Sequence, residues 1–297
     1  MRSIRFAATA AALCVATTGL LAQKPLVILA TITDPSGAEV TSVDPTDITF
    51  MENGTAGTVL KVEPFSGVVP KLQLLVDNGA GMPPESLGDL RAGLKGLISA
   101  IPTNVEVTFV STAPQPRMVE KPTNDRVKLL AAVDRLTPDS GVGKFVDSLY
   151  EATDRINKDK QEGASYTIIS VATNSGDSNF RDSDVKTISQ RIQQRRTNVQ
   201  VVLLNWIHSG AAGGIQTDLG QGLANMTGGH FESINVPNRL LTLLPEIGAN
   251  VAKAMGPGAK QFRLTLQRPS GATGALGAVG LGVNGKILTN PTIAPGQ

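Results

Sequence analysis

This chain is predicted to be a doubly wound α/β protein, with a mostly parallel sheet flanked by helices. Three observations predict it. Apolar runs of strand length recur between residues 72 and 207, and stretches with apolar residues at spacings of three and four lie between them. One of those runs ends in an aspartate followed by a glycine-rich turn and a Pro-Pro pair, LQLLVDNGAGMPPES at 72–86. Strands that are apolar on both faces and joined by helices belong to a buried parallel sheet with a helical layer on each side.

The elements divide the 297 residues into four zones. In residues 1–22, Arg2 and Arg5 precede an apolar stretch from Phe6 to Leu21, and Ala22 supplies a small residue before Gln23. That order of charge, apolar core and small residue is a secretory signal peptide, so export is expected, to a periplasmic or extracellular space. A retained N-terminal anchor is the competing reading, but about 16 apolar residues broken by Thr17, Thr18 and Gly19 are short for a span. Cys14, the one cysteine, falls in this zone and leaves none for a disulfide or nucleophile in a mature chain. Removing Arg2 and Arg5 takes Lys+Arg from 27 to 25, equal to the 25 acidic residues, which gives no electrostatic case for nucleic acid. No later segment reaches 18 uninterrupted apolar residues, so no stable membrane span is expected after cleavage.

Residues 23–67 read as a small β-rich module of short antiparallel strands with hairpins. LVILATIT, the turn DPSGAEV and ITFMENGTAGTVLKV alternate β-branched residues around Pro-Ser-Gly and Asn-Gly turns. Residues 68–256 carry the α/β pattern, with strands at LQLLVD (72–77), VEVTFV (105–110), YTIISVA (166–172) and VQVVLLNWI (199–207). Leu87, Leu90, Leu94, Leu97, Ile98 and Ile101 form one helical stripe. Val185, Ile188 and Ile192 form a second, ending in Arg195 and Arg196, where cations suit the helix dipole. Leu240, Leu244, Ile247 and Val251 form a third. Residues 257–297 read as one edge strand, QFRLTLQ, and a turn, then a flexible glycine-rich tail.

In open α/β sheets, ligands sit at the carboxyl ends of the strands, where the strand order reverses. Asp77 ends such a strand. TITDPSGAEVTSVDPTDITFMENG, LLVDNGAGM, FVDSLYEA and LANMTGGHFESI follow one another in an order and at spacings that resemble the von Willebrand factor A family. The likeness is to its secreted bacterial members with a β module in front. The resemblance implies a five-position metal site. Its first aspartate is Asp77, its two serine positions are Gly79 and Gly81, its threonine position is Gly143, and its second aspartate position is Asn174. A magnesium-sized cation needs several oxygen ligands in near-octahedral array, and glycine offers no side-chain oxygen. The site is therefore expected to be degenerate, with no cofactor and no Mg²⁺. Lys144 would further oppose a cation if it points inward, and Asp77 is expected to accept backbone N–H bonds or to pair with Lys144. Asp177 could step in as a displaced ligand.

No enzyme signature accompanies these residues. The sequence contains no Gly-x-Ser-x-Gly and no His-Glu-x-x-His. His208 and His230 suggest no carboxylate or nucleophile nearby. GLGVNG at 280–285 has no room for a βαβ unit after it, and VGKF at 142–145 lacks the residues of a phosphate loop. RIQQRR at 191–196 reads as a solvated helix face, and Trp206 as core. The resemblance implies a non-enzymatic protein that binds a protein partner through crest loops 77–82, 140–144, 174–180 and 208–217. Asp77, Asn78, Lys144, Asn174 and Asp177 are the candidate contact residues. A structural part in a cell-envelope assembly, made through edge strands or the β module, is the alternative.

Overall fold

The structure is a computed structural model and describes residues 25–293, apart from 37, 39, 66, 68, 162, 176–180, 206–211, 256–260 and 273–275. The expected signal segment, Asp177, Trp206 and His208 lie outside the described residues.

The N-terminal strands are β1 (Leu26–Thr33), β2 (Ile48–Glu52), β3 (Thr55–Ala56) and β4 (Thr58–Phe65). Asn53 and Gly54 both take positive φ, 50° and 78°, which is the backbone a two-residue hairpin requires between β2 and β3. The α/β unit follows with β5 (Val69–Val76), α1 (Leu87–Ala100), β6 (Glu106–Ser111), β7 (Arg117–Thr123), α2 (Arg126–Arg135), α3 (Phe145–Lys158) and β8 (Ala164–Thr173). It continues with α4 (Asp182–Gln194), β9 (Asn198–Leu204), α5 (Ala212–Thr227), β10 (Phe231–Ile234) and α6 (Leu240–Met255). The chain closes with β11 (Gln261–Gln267), β12 (Val279–Val283) and β13 (Ile287–Ile293).

The main sheet runs β10-β9-β8-β5-β6-β7, parallel except for β7. The order reverses between β5 and β8, so the switch-point crevice lies at the carboxyl ends of those two strands. The two faces of the sheet carry separate cores. One is built from α1, α2 and α6, including Leu90, Leu94, Leu97, Leu240 and Leu244. The other is built from α3, α4 and α5, including Leu149, Ile156, Ile188 and Leu223. The helical stripe of α1 is buried throughout, and its Gly93 and Gly96 let α6 approach closely at Leu240 and Pro245.

Three features of the β segments differ from the sequence reading. β1 does not form a hairpin with β2. It pairs with β11 and β13, whereas β2 pairs with β12 and β3. QFRLTLQ is an interior strand, in the order β13-β1-β11-β4, and the glycine-rich stretch after it supplies β12 and β13. The partners of these strands come from the far end of the chain, so no local pattern announces them. Glu52 fastens the two ends. It receives Arg268 Nε and Nη2 at 2.8 and 2.6 Å and the Gly277 N–H at 2.9 Å.

Two of the three arginines of RIQQRR also differ from the expected solvated face, whereas Arg196 is exposed. Arg191 stacks on Tyr150, 4.6 Å from its centroid, and pairs with Asp154 at 3.1 Å. Arg195 stacks on Tyr166 and donates to its hydroxyl at 2.9 Å. Two aromatic faces left bare by the neighbouring α3 and β8 draw the long arginine stems inward. β7 and α2 are elements the sequence reading did not separate.

The chain enters and leaves the α/β unit through β4 and β11, which are hydrogen-bonded neighbours with Phe65 opposite Gln261. Phe65 sits at this joint with Arg263 stacked at 4.9 Å over its ring. The joint meets the amino end of β5, which puts the β strands at the opposite end of the sheet from the switch-point crevice.

Candidate functional site

Five strand ends make the crest of the sheet. Asp77 and Asn78 follow β5, Thr112 follows β6, Thr173 ends β8 with Asn174 after it, and Asn205 and Asn235 follow β9 and β10. Asp77 is 2% exposed. Its Oδ1 accepts the Gly79 N–H at 2.8 Å. Its Oδ2 accepts the Thr173 hydroxyl at 2.6 Å and the Thr173 N–H at 3.3 Å. The hydroxyl bond crosses the switch point from β8 to β5. Burial pushes the Asp77 carboxyl above its ordinary range, and the Thr173 and Gly79 donors oppose that shift without cancelling it.

The described partners of Asp77 are Gly79 and Thr173, and what the structure describes of Lys144 is its backbone. The Lys144 N–H donates to Thr112 O at 3.0 Å at the head of α3, and it is the backbone of Gly143 that lies against the carboxylate. Asn174 is turned toward the neighbouring strand, with Nδ2 donating to Asn205 Oδ1 at 3.0 Å. Asn205 Nδ2 donates onward to Ser233 Oγ and, at 3.2 Å, to Asn235 Oδ1, so asparagines link the ends of β8, β9 and β10. Asn78 Nδ2 donates to Thr137 O at 2.7 Å, and its buried Oδ1 has no hydrogen-bond partner among the described residues.

The loop 137–143 lies over the ends of β5 and β6. Besides the Asn78–Thr137 bond, Asp139 N donates to Asn78 O and Ala80 N donates to Gly141 O, both at 2.8 Å. Asp139 caps the loop internally by accepting the Gly141 N–H at 2.9 Å, and Arg117 pairs with it at 3.2 Å. Val142 projects from this loop with 36% exposure.

The described residues at these positions do not fit a hard divalent cation: both oxygens of the Asp77 carboxylate face hydrogen-bond donors, and Gly79, Gly81 and Gly143 bring no side-chain oxygen. Among the described residues, no group of three or more His, Cys, Asp or Glu side chains could hold a metal ion. Thr173 and Ser175 are, with Thr112, Asn205 and Asn235, crest residues that the sequence reading missed. A hydroxyl pair flanking Asn174 was the available signal, but nothing in the sequence aims either side chain at Asp77. His230, read as having no carboxylate nearby, lies 3.2 Å from Glu232, which Arg239 also holds at 3.0 Å. The alternation along β10 puts residues 230 and 232 on one side of the strand.

A sheet ordered this way, with its crevice at an aspartate-bearing strand end, matches solved structures across most of the chain. The fold is that of a von Willebrand factor A domain. A von Willebrand factor type A structure from Catenulispora acidiphila superposes with a TM-score of 0.53 at 13% identity, covering 93% of this chain and 74% of that one. The BatB protein of Bacteroides thetaiotaomicron gives 0.46 at 14%, covering 63% and 100%. The vWF domain of the type V pili tip protein Mfa5 from Porphyromonas gingivalis gives 0.46 at 10%, covering 64% and 97%. No protein-family model and no curated protein matches the chain. Among the described residues, no helix of the von Willebrand factor A-like domain or of the β segments is long and apolar enough to cross a membrane.

Proposed function

We propose that this is an exported, non-enzymatic binding protein that engages a protein partner through the crest loops, without a bridging cation and with a degenerate metal site. The observation that carries the reading is the fastening of loop 137–143 over the switch point. It offers Val142 and its neighbours on a preformed surface, and a surface ordered before contact loses less entropy on binding. Catalysis has no support at the same place, because the Asp77 carboxylate is sealed and committed to Gly79 and Thr173.

The test is capture from an envelope extract by the tagged full chain, with and without chelator, using Val142→Asp at the crest and Leu60→Asp on β4. Capture that survives chelation, is lost in the crest variant and is kept in the β4 variant supports the reading. Capture abolished by chelator refutes it. The alternative, a structural part in an envelope assembly, is favoured by one observation. β4 is an eight-residue strand with one side unpaired among the described strands, and Leu60 on it is 49% exposed. Loss of capture in Leu60→Asp alone selects that alternative. Deleting residues before 68 would not separate the two readings, because it removes the neighbours on both sides of β11.

A further inference from the structure

We propose that the switch-point crevice is plugged by the chain's own groups, with the Ser175 hydroxyl standing where a side chain at residue 81 would lie. The three glycines at the former ligand positions do not leave open space. A Cβ at Gly81 would run into Ser175 Oγ, and would stand 2.6 Å from Thr173 Oγ1 and 3.2 Å from Ser175 Cβ. Ser175 Oγ is 3.4 Å from Thr173 Oγ1, which in turn donates to Asp77. One line of hydroxyls therefore runs from the position of the missing side chain to the carboxylate.

The other two positions are filled by the Asp77 carboxyl group and by the loop backbone with Ala113. A Cβ at Gly143 would fall on the Asp77 carboxyl group, 2.5 Å from Oδ1 and nearer still to Cγ and Oδ2. A Cβ at Gly79 would meet Gly141 O, with Ala113 Cβ at 2.8 Å and Gly143 N at 2.9 Å. Real Cβ atoms do not approach other atoms this closely in packed interiors. The glycines are therefore required by the closed loop. Losing oxygen ligands at 79, 81 and 143 and gaining hydroxyls from 173 and 175 are one exchange: a cation replaced by internal hydrogen bonds.

This goes beyond the binding proposal and is tested without any partner, so either can fail alone. The full chain is compared with Gly81→Ser, Ser175→Gly and the double variant by thermal unfolding, and each is titrated with Mn²⁺ while unbound ion is followed by electron paramagnetic resonance. Gly81→Ser is expected to lower Tm by roughly 4 °C or more, Ser175→Gly by less, and the double variant to recover most of the first loss. None of the four is expected to show saturable Mn²⁺ binding. The proposal is overturned if Gly81→Ser is as stable as the parent, or if the double variant is no better than Gly81→Ser. Saturable Mn²⁺ binding by the parent that disappears in Asp77→Asn also overturns it. Should Gly81→Ser yield no folded protein, recovery of the folded double variant supports the proposal and failure to recover it counts against it.

Discussion

Two carboxylates with little exposed surface, one at the crest and one in the β base, are driven in opposite directions. Asp77 at the crest is 2% exposed and Glu52 in the β base is 3% exposed. Glu52 is held below the ordinary glutamate range by its bond to Arg268, with the Gly277 N–H assisting and burial opposing. The described donors to Asp77 are neutral, and burial holds its carboxyl above the ordinary range. Burial alone therefore does not set the charge of a buried acid; what matters is whether a full positive charge accompanies it. The base uses such a charge to tie residues 52 and 268 together. At the crest, the neutral dipoles of Gly79 and Thr173 face the carboxylate instead.

Breaking the base contact gives the largest expected effect. Arg268→Ala leaves Glu52 buried beside only the Gly277 N–H, and removing one partner of a buried pair costs about 3 kcal/mol or more. Urea denaturation of the full chain at pH 7 measures it. The same contact has a defined pH dependence. A carboxylate depressed in the folded state contributes stability above its ordinary value of about 4.3, and the contribution is lost as pH falls through the depressed folded value. The gap between parent and Arg268→Ala should accordingly narrow on acidification. A gap that stays constant down to pH 3 would show that Arg268 acts through packing alone.

At the crest the corresponding change is smaller. Thr173→Val keeps the shape of the side chain but removes the hydroxyl that crosses the switch point, leaving Oδ2 of Asp77 with the longer 3.3 Å N–H contact. Hydrogen bonds to charged groups are worth about 1.5–3 kcal/mol, and a loss near the lower end is expected because the burial-raised Asp77 is only weakly held in its charged form. Hydrogen exchange should locate the damage, with faster exchange at the amides of Ala80, Asp139 and Lys144 that fasten loop 137–143. Uniform destabilisation with those amides unchanged would mean that the loop is held independently of Thr173.

The two ends of the molecule were also unequally legible in the sequence. The strands β5, β6, β8 and β9 announce themselves because parallel strands buried on both faces are apolar throughout, and the stripes of α1, α4 and α6 follow from helical spacing. β7 escaped because an edge strand with Pro122 and no fully buried residue carries little pattern, and α2 buries only Leu129, Ala132 and Val133. The β base was half legible. Its turns are written in Asn53 and Gly54, but the Glu52–Arg268 contact spans 216 residues and nothing local links those two positions. At the crest, the loss of oxygen ligands can be read from three glycines. What fills the space cannot, because Thr173 ends another strand, Ser175 follows it, and the sheet order alone brings Thr173 to Asp77, with Ser175 beside Thr173.

Asp77→Asn is the smallest change and the one whose sign separates the crest from the base. Asparagine retains an acceptor for the Gly79 N–H and can donate to the Thr173 hydroxyl, giving up chiefly the long bond from the Thr173 N–H. It also removes the need to bury a charge. At pH 7 the variant should therefore unfold within about 1 kcal/mol of the parent. Its pH dependence runs opposite to that of Glu52. A carboxyl raised in the folded state contributes stability that is complete below its ordinary value of about 3.9 and is lost as pH rises through the folded value. The parent should thus lose ground to Asp77→Asn between pH 4 and pH 8, measured as the difference in urea midpoint at each pH. If the parent instead gained ground over that range, Asp77 would be stabilised as an anion, and a cation at the crest would have to account for it.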